Sequence, residues 1–139
     1  MSEENKKVAL AFIKAMSSGD VAGTDACLAR DAFTDAKGFG KFAGVRRYEQ
    51  IVGTVDAFNH LFEPGGLRPE IKTVTAEGDR VVVEFEGKAI TKTGEEYFNQ
   101  YCMVITLAGG KVKQVNEYFC TVLADRVLWP LAQGLGAQG

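Results

Sequence analysis

Val8, Ala11, Phe12, Ala15 and Met16 recur at helical spacing near the start of the chain and form one apolar stripe. Ser2 caps this predicted helix, Glu3 and Glu4 suit the positive end of its dipole, and Ser17-Ser18-Gly19 ends it. Asp20 is placed to cap a short second helix running to about Arg30. Ala32 to Asp35 reads as a first strand, followed by a loop from Ala36 to Gly44 that contains three glycines. Tyr48, Ile51, Val52, Val55, Phe58 and Phe62 return to helical spacing, and Pro64-Gly65-Gly66 stops that helix.

Everything after Leu67 reads as sheet. Ile71 to Ala76 and Arg80 to Ile90 flank Glu77-Gly78-Asp79, and Thr91-Lys92-Thr93-Gly94 separates the second run from Tyr97 to Leu107. Ala108-Gly109-Gly110 then leads to a last run, Lys111 to Val122. Glycine-bearing connectors between β-branched and aromatic runs predict a four-stranded antiparallel meander. Leu123 to Leu131 reads as a short helix or a docking strand, and residues 132–139 are expected to fray. The class is α+β, with N-terminal helices packed on a curved antiparallel sheet in one domain spanning residues 1–139.

Composition narrows the function classes. At 139 residues the chain has the length of one domain, with 46% hydrophobic and 24% charged residues, ordinary for a globular protein. A net charge of −2 leaves no basic footprint, so nucleic acid is not an expected partner. No apolar run reaches membrane-spanning length, and Met-Ser-Glu-Glu-Asn-Lys-Lys lacks a signal-peptide layout, so a cytoplasmic location with no membrane partner is expected. Cys27, Cys102 and Cys120 are widely spaced, and His60 stands alone, which argues against zinc, iron–sulfur and thioredoxin-type sites. Each cysteine reads as buried packing. No phosphate-binding loop or nucleophile elbow is present, and no cofactor is expected.

Strand alternation sorts the polar residues into faces. Tyr97, Asn99, Tyr101, Met103 and Ile105 share one face of their strand, and Val115, Glu117, Phe119 and Thr121 share one face of the last. Glu117 among apolar neighbours is either at an edge or in a desolvated pocket that raises its pKa. On the strand from Arg80, Val81, Val83, Phe85, Gly87 and Ala89 alternate with Val82, Glu84, Glu86, Lys88 and Ile90. Two readings stand: glutamates in water, or glutamates in a cavity with the apolar set at an interface. Asp35, closing the first strand, is a further candidate acid or a plain turn residue.

The Ser18-Gly19-Asp20 junction, the strand ending in Asp35, the run Tyr97-Phe98-Asn99-Gln100-Tyr101, and Gly110-Lys111-Val112 followed by Glu117-Tyr118-Phe119-Cys120-Thr121 resemble the SnoaL-like group of the nuclear transport factor 2-like superfamily. The resemblance implies a cone-shaped, cystatin-like fold with a hydrophobic pocket. It also implies a homodimer formed through the sheet. Phe33-Thr34-Asp35 falls where ketosteroid isomerases carry a general base, but Phe12 and Cys102 or Met103 fall where those enzymes carry oxyanion donors. The stretch Glu84 to Phe119 resembles limonene epoxide hydrolases, whose water-activating acid falls at Glu117, with Glu84 in place of their arginine and Glu86 at their second acid. That likeness favours the cavity reading of Glu84 and Glu86, with Arg46, Arg47 or Lys88 compensating their charge. Cys120 replaces the family aspartate.

The resulting expectation is a cofactor-independent isomerase, cyclase or hydrolase acting on a small hydrophobic molecule by carboxylate acid–base chemistry. Glu117 is the leading acid or base, Asp35 the second candidate, and Glu84 or Glu86 an auxiliary acid. Tyr97, Asn99 and Tyr101 orient the substrate, and Phe12, Phe58, Phe62, Val115, Phe119 and Trp129 supply apolar walls. The rival expectation is a non-catalytic ligand-binding or dimerisation module of the same fold.

Overall fold

Phe12 and Ile13 are fully buried in the computed structural model, which describes residues 2–138 and the side chains of residues 2–134. They lie on α1 (Ser2–Ser18), whose stripe covers the sheet as its periodicity predicts. Gly19 ends α1 with φ of +78°, and Asp20 caps α2 (Val21–Cys27) by accepting a bond from the Gly23 N–H. This helix stops short of the expected Arg30 because Leu28 already pairs with Val112 in the sheet. The first strand is correspondingly longer, β1 (Leu28–Ala36).

β2 (Gly44–Arg47) forms an unexpected hairpin partner for β1, emerging from the end of the glycine-containing loop. α3 (Tyr48–Leu61) follows where the spacing placed it. β3 (Arg68–Glu77), β4 (Arg80–Ile90), β5 (Glu96–Ala108) and β6 (Lys111–Phe119) then form the expected antiparallel meander. The whole sheet has six strands in the order β2-β1-β6-β5-β4-β3. It is mixed rather than antiparallel, because β1 runs parallel to β6.

The last strand ends at Phe119, earlier than the expected Val122. The Asn99 side chain takes over the Cys120 backbone there, accepting from its N–H at 3.2 Å and donating to its carbonyl at 3.0 Å. The chain turns at that clamp into α4 (Thr121–Val127) and α5 (Trp129–Gln138), where a single short helix or strand was expected. The expectation of fraying at residues 132–139 falls largely on residues whose side chains lie outside the described set. No helix among the described residues is long and apolar enough to cross a membrane.

Two apolar clusters hold the fold. One joins α1 to the middle of the sheet through Phe12, Val83, Ile105 and Val115. The other gathers Leu61, Phe62, Leu67, Tyr97 and Leu128 at the end covered by α3 and α4. Leu67 crosses β4 at Gly87, where a side chain on the glycine would meet Leu67 at 2.8 Å. Gly66, with φ of +58°, lets that segment pass beside the Ser17 carbonyl, which accepts the Leu67 N–H at 2.8 Å.

Candidate functional site

A cavity of about 270 Å³ lies between the two clusters, a size at the lower edge of small-molecule sites. Phe85, Tyr97, Tyr101, Met103, Glu117 and Phe119 form its sheet wall, with Thr34, Ala36 and Arg46 on the β1–β2 side. Ile51, Val55, Phe58 and Leu61 come from α3, Ala124 from α4, Leu128 from the junction after it, and Ala132 from α5. Most of this lining is apolar. The polar groups therefore stand out as candidates for contact with a ligand.

Register assembles those groups. Glu117 stands opposite Met103 on β5 and beside Ala36 on β1. Thr34 pairs with Arg46 across the β1–β2 hairpin, so Thr34, Ala36, Arg46 and Glu117 share the inner face. On β5, Tyr97 and Tyr101 reach the same space, and their hydroxyls lie 3.0 Å apart. Asn99 is buried between them and donates to the Tyr97 hydroxyl at 2.7 Å. With Tyr97 accepting from Asn99, its own hydrogen is free to point at Tyr101, and the Tyr101 O–H is then free to donate into the cavity. Tyr101 is held flat against Phe85, with ring centroids 4.8 Å apart and planes 7° from parallel.

The electrostatics follow from this enclosure. Burial raises the Glu117 pKa; the Arg46 charge and the Thr34 hydroxyl pull it back, and Asp35 adds to the rise. Glu117 keeps partial solvent exposure because it faces the cavity, yet protein surrounds it on the remaining sides. Burial also raises Tyr97, and lifts Tyr101 well above its ordinary value, so both phenols remain protonated donors near neutral pH.

Of the residues expected at the site, Glu117, Tyr97, Tyr101, Phe119 and Phe58 line the cavity. Asn99 stands behind Tyr97 as its anchor. Phe62 stacks on the far side of Tyr97, and Trp129 packs edge-on against Phe42, so both support walls rather than form them. Phe12 and Val115 are fully buried in the α1–sheet cluster and do not reach the cavity.

Three acids are placed elsewhere. Glu84 and Glu86 project from the outer face of the sheet because Val83, Phe85 and Gly87 occupy the inner one. Glu84 accepts from the Thr73 hydroxyl at 2.7 Å, and Glu86 lies 3.7 Å from the Lys72 ammonium and accepts from Gln100. Alternation was the sound guide to this strand, and the cavity reading of these glutamates is corrected. Asp35 likewise alternates away from Thr34 and forms an ion pair with Lys37 at 2.8 Å.

Cys120 is exposed and lies outside the cavity, against the expectation of buried packing, while Cys102 is half-buried and Cys27, also half-buried, packs against the α1–sheet cluster. Among the described residues no cluster of His, Cys, Asp and Glu is arranged to hold a metal ion. Thr34, Thr54 and the orphaned Ser17 hydroxyl are the polar lining groups not singled out from the sequence, and Arg46 was expected there only as a compensating charge. A hint for the first was its position one residue before Asp35, on the opposite face.

The family model for the SnoaL-like domain matches residues 9–115. No curated protein matches the sequence. Among solved structures, a nuclear transport factor 2-like protein from Burkholderia xenovorans LB400 is 24% identical, with a TM-score of 0.72 over 91% of this chain and 97% of its own. A limonene epoxide hydrolase-like epoxide hydrolase of M. tuberculosis is 19% identical, with a TM-score of 0.73 over 99% and 98%. A putative SnoaL-like polyketide cyclase from Jannaschia sp. CCS1 is 16% identical, with a TM-score of 0.72 over 91% and 94%. The fold is thus the nuclear transport factor 2-like cone, and the chain belongs to the SnoaL-like domain family.

Proposed function

We propose that the protein binds a small, mainly apolar carbonyl compound in the cavity and moves a proton at the carbon next to that carbonyl. The observation that carries this reading is the juxtaposition of Glu117, the one carboxyl lining the cavity among the described residues, with the Tyr101 hydroxyl on the neighbouring strand. The Glu117 carboxylate takes the α-proton, the C–H electron pair moves into the carbon–carbon bond, and the carbonyl oxygen gains negative charge. Tyr101, oriented through Tyr97 and Asn99, donates a hydrogen bond to that oxygen. Glu117 then returns the proton to the same or another carbon. A raised carboxyl pKa suits this role, because a base works best when its pKa approaches the working pH.

A hydrolase of the paired-acid type is less well supported. Water addition to an epoxide needs one group to activate water and another to protonate the oxygen, and Glu84, Glu86 and Asp35 all face away from the cavity. That same scarcity of acids favours a second reading, a carrier that binds without catalysis. Hydrogen–deuterium exchange at the α-carbon of 2-tetralone in heavy water separates the two. Catalysis predicts exchange that Glu117→Gln slows by about a hundredfold or more, whereas a carrier leaves exchange at the uncatalysed rate.

We also propose a second copy of the chain as the partner of the outer sheet face. Ile90, Phe98 and Tyr118 are exposed there, and Glu84, Glu86 and Lys88 give the face charges of both signs that a two-fold axis can pair. The three free thiols suit a reducing compartment, which supports the cytoplasm as the location.

A further inference from the structure

We propose that the ligand is an anion, a small apolar acid such as a carboxylic acid or an acidic enol, and that the Arg46 guanidinium holds its charged end. This names the substrate class of the cavity and rests on the reading above. Alternation along β2 sends Arg46 inward opposite Thr34 and sends Arg47 outward over the Phe33 ring, 5.3 Å from its centroid. Arg46 spends one N–H on the Phe42 carbonyl at 3.0 Å, which anchors the guanidinium and leaves its other donors available.

Among the described residues, Lys6, Arg30, Lys37, Lys72 and Lys113 each lie within ion-pair distance of a carboxylate, and Arg46 does not. Glu117 is near enough to feel the Arg46 charge but makes no ion pair with it. A half-buried guanidinium facing aromatic and aliphatic walls has lost part of its hydration, and a planar oxyanion restores those bonds in two-pronged geometry. Among the described residues Arg46 is the one cationic side chain lining the cavity, and its remaining donors are held by no carboxylate. Charge complementarity then selects an anion over a neutral molecule of the same shape.

Two probes of nearly equal size separate charge from shape: 2-naphthoate and 2-acetylnaphthalene, titrated into the full chain by calorimetry. The expected result is naphthoate binding about tenfold or more tightly than the ketone. Arg46→Gln should erase that preference, and Arg47→Gln, which removes an outward charge, should preserve it. In the unsubstituted protein, the Arg46 Nε–H NMR signal should move on adding naphthoate and stay in place with the ketone, a readout independent of how the variants fold. Equal affinity for both probes, or a naphthoate preference that survives Arg46→Gln, overturns the inference while ketone binding leaves the proposed function standing. Failure of both probes to bind the unsubstituted protein overturns the inference and the pocket reading together.

Discussion

The Asn99 side-chain amide donates to the Tyr97 hydroxyl at 2.7 Å while its oxygen accepts the Cys120 N–H at 3.2 Å. One buried side chain thus orients the cavity phenols and ends the last strand. Asn99→Leu leaves the Cys120 backbone groups and the Tyr97 hydroxyl without these partners, so it should destabilise the protein by about 2–4 kcal/mol. Urea unfolding measures this, and a loss below about half a kcal/mol would show that the clamp is dispensable.

Ser17 makes the opposite case. Its hydroxyl is buried beside the cavity and has no hydrogen-bond partner among the described residues. Ser17→Ala removes an unsatisfied group, and the ligand-free protein should gain about 1 kcal/mol of stability. Destabilisation on thermal unfolding would mean that the hydroxyl finds a partner in solution.

The raised pKa of Glu117 sets a sign for pH dependence. In the window above the unfolded-state pKa and below the folded one, the native protein holds a proton that the unfolded chain releases, so stability falls as pH rises. Glu117→Gln cannot ionise, and its melting temperature relative to the unsubstituted protein should rise from pH 4 to pH 8. A difference that stays flat, or shrinks, would place the carboxyl in an ordinary environment.

The outer-face glutamates are predicted to be silent toward ligands. Glu84→Gln and Glu86→Gln should leave 2-tetralone exchange unchanged and alter stability by no more than about half a kcal/mol. A tenfold loss of exchange in either variant would put these acids back in the chemistry.

Phe98 is exposed on that face, and Phe98→Glu should convert a dimer to a monomer in sedimentation equilibrium. A single-chain mass for the unsubstituted protein would remove the proposed pairing through the sheet.

What was legible in the chain depended on the length of each pattern. β4 has the expected bounds, Arg80–Ile90, because eleven residues of alternation and two flanking turns leave little freedom of register. α1 and α3 were readable from their stripes for the same reason. β2 has four residues, too few for periodicity, so Arg46 had no face until β1 supplied one. The early end of β6 depends on a side chain twenty-one positions away, Asn99, and no local signal carries that contact. For Glu84 and Glu86 the local pattern was right, and likeness to an enzyme with a different pocket pointed the other way.

The most direct measurement of the central claim is an NMR titration of the Glu117 carboxyl carbon, alone and with 2-tetralone. The Glu117 pKa should lie above the free value of about 4.3 and shift again when the ketone binds. An ordinary pKa that the ketone leaves untouched would contradict that claim and remove Glu117 from the chemistry.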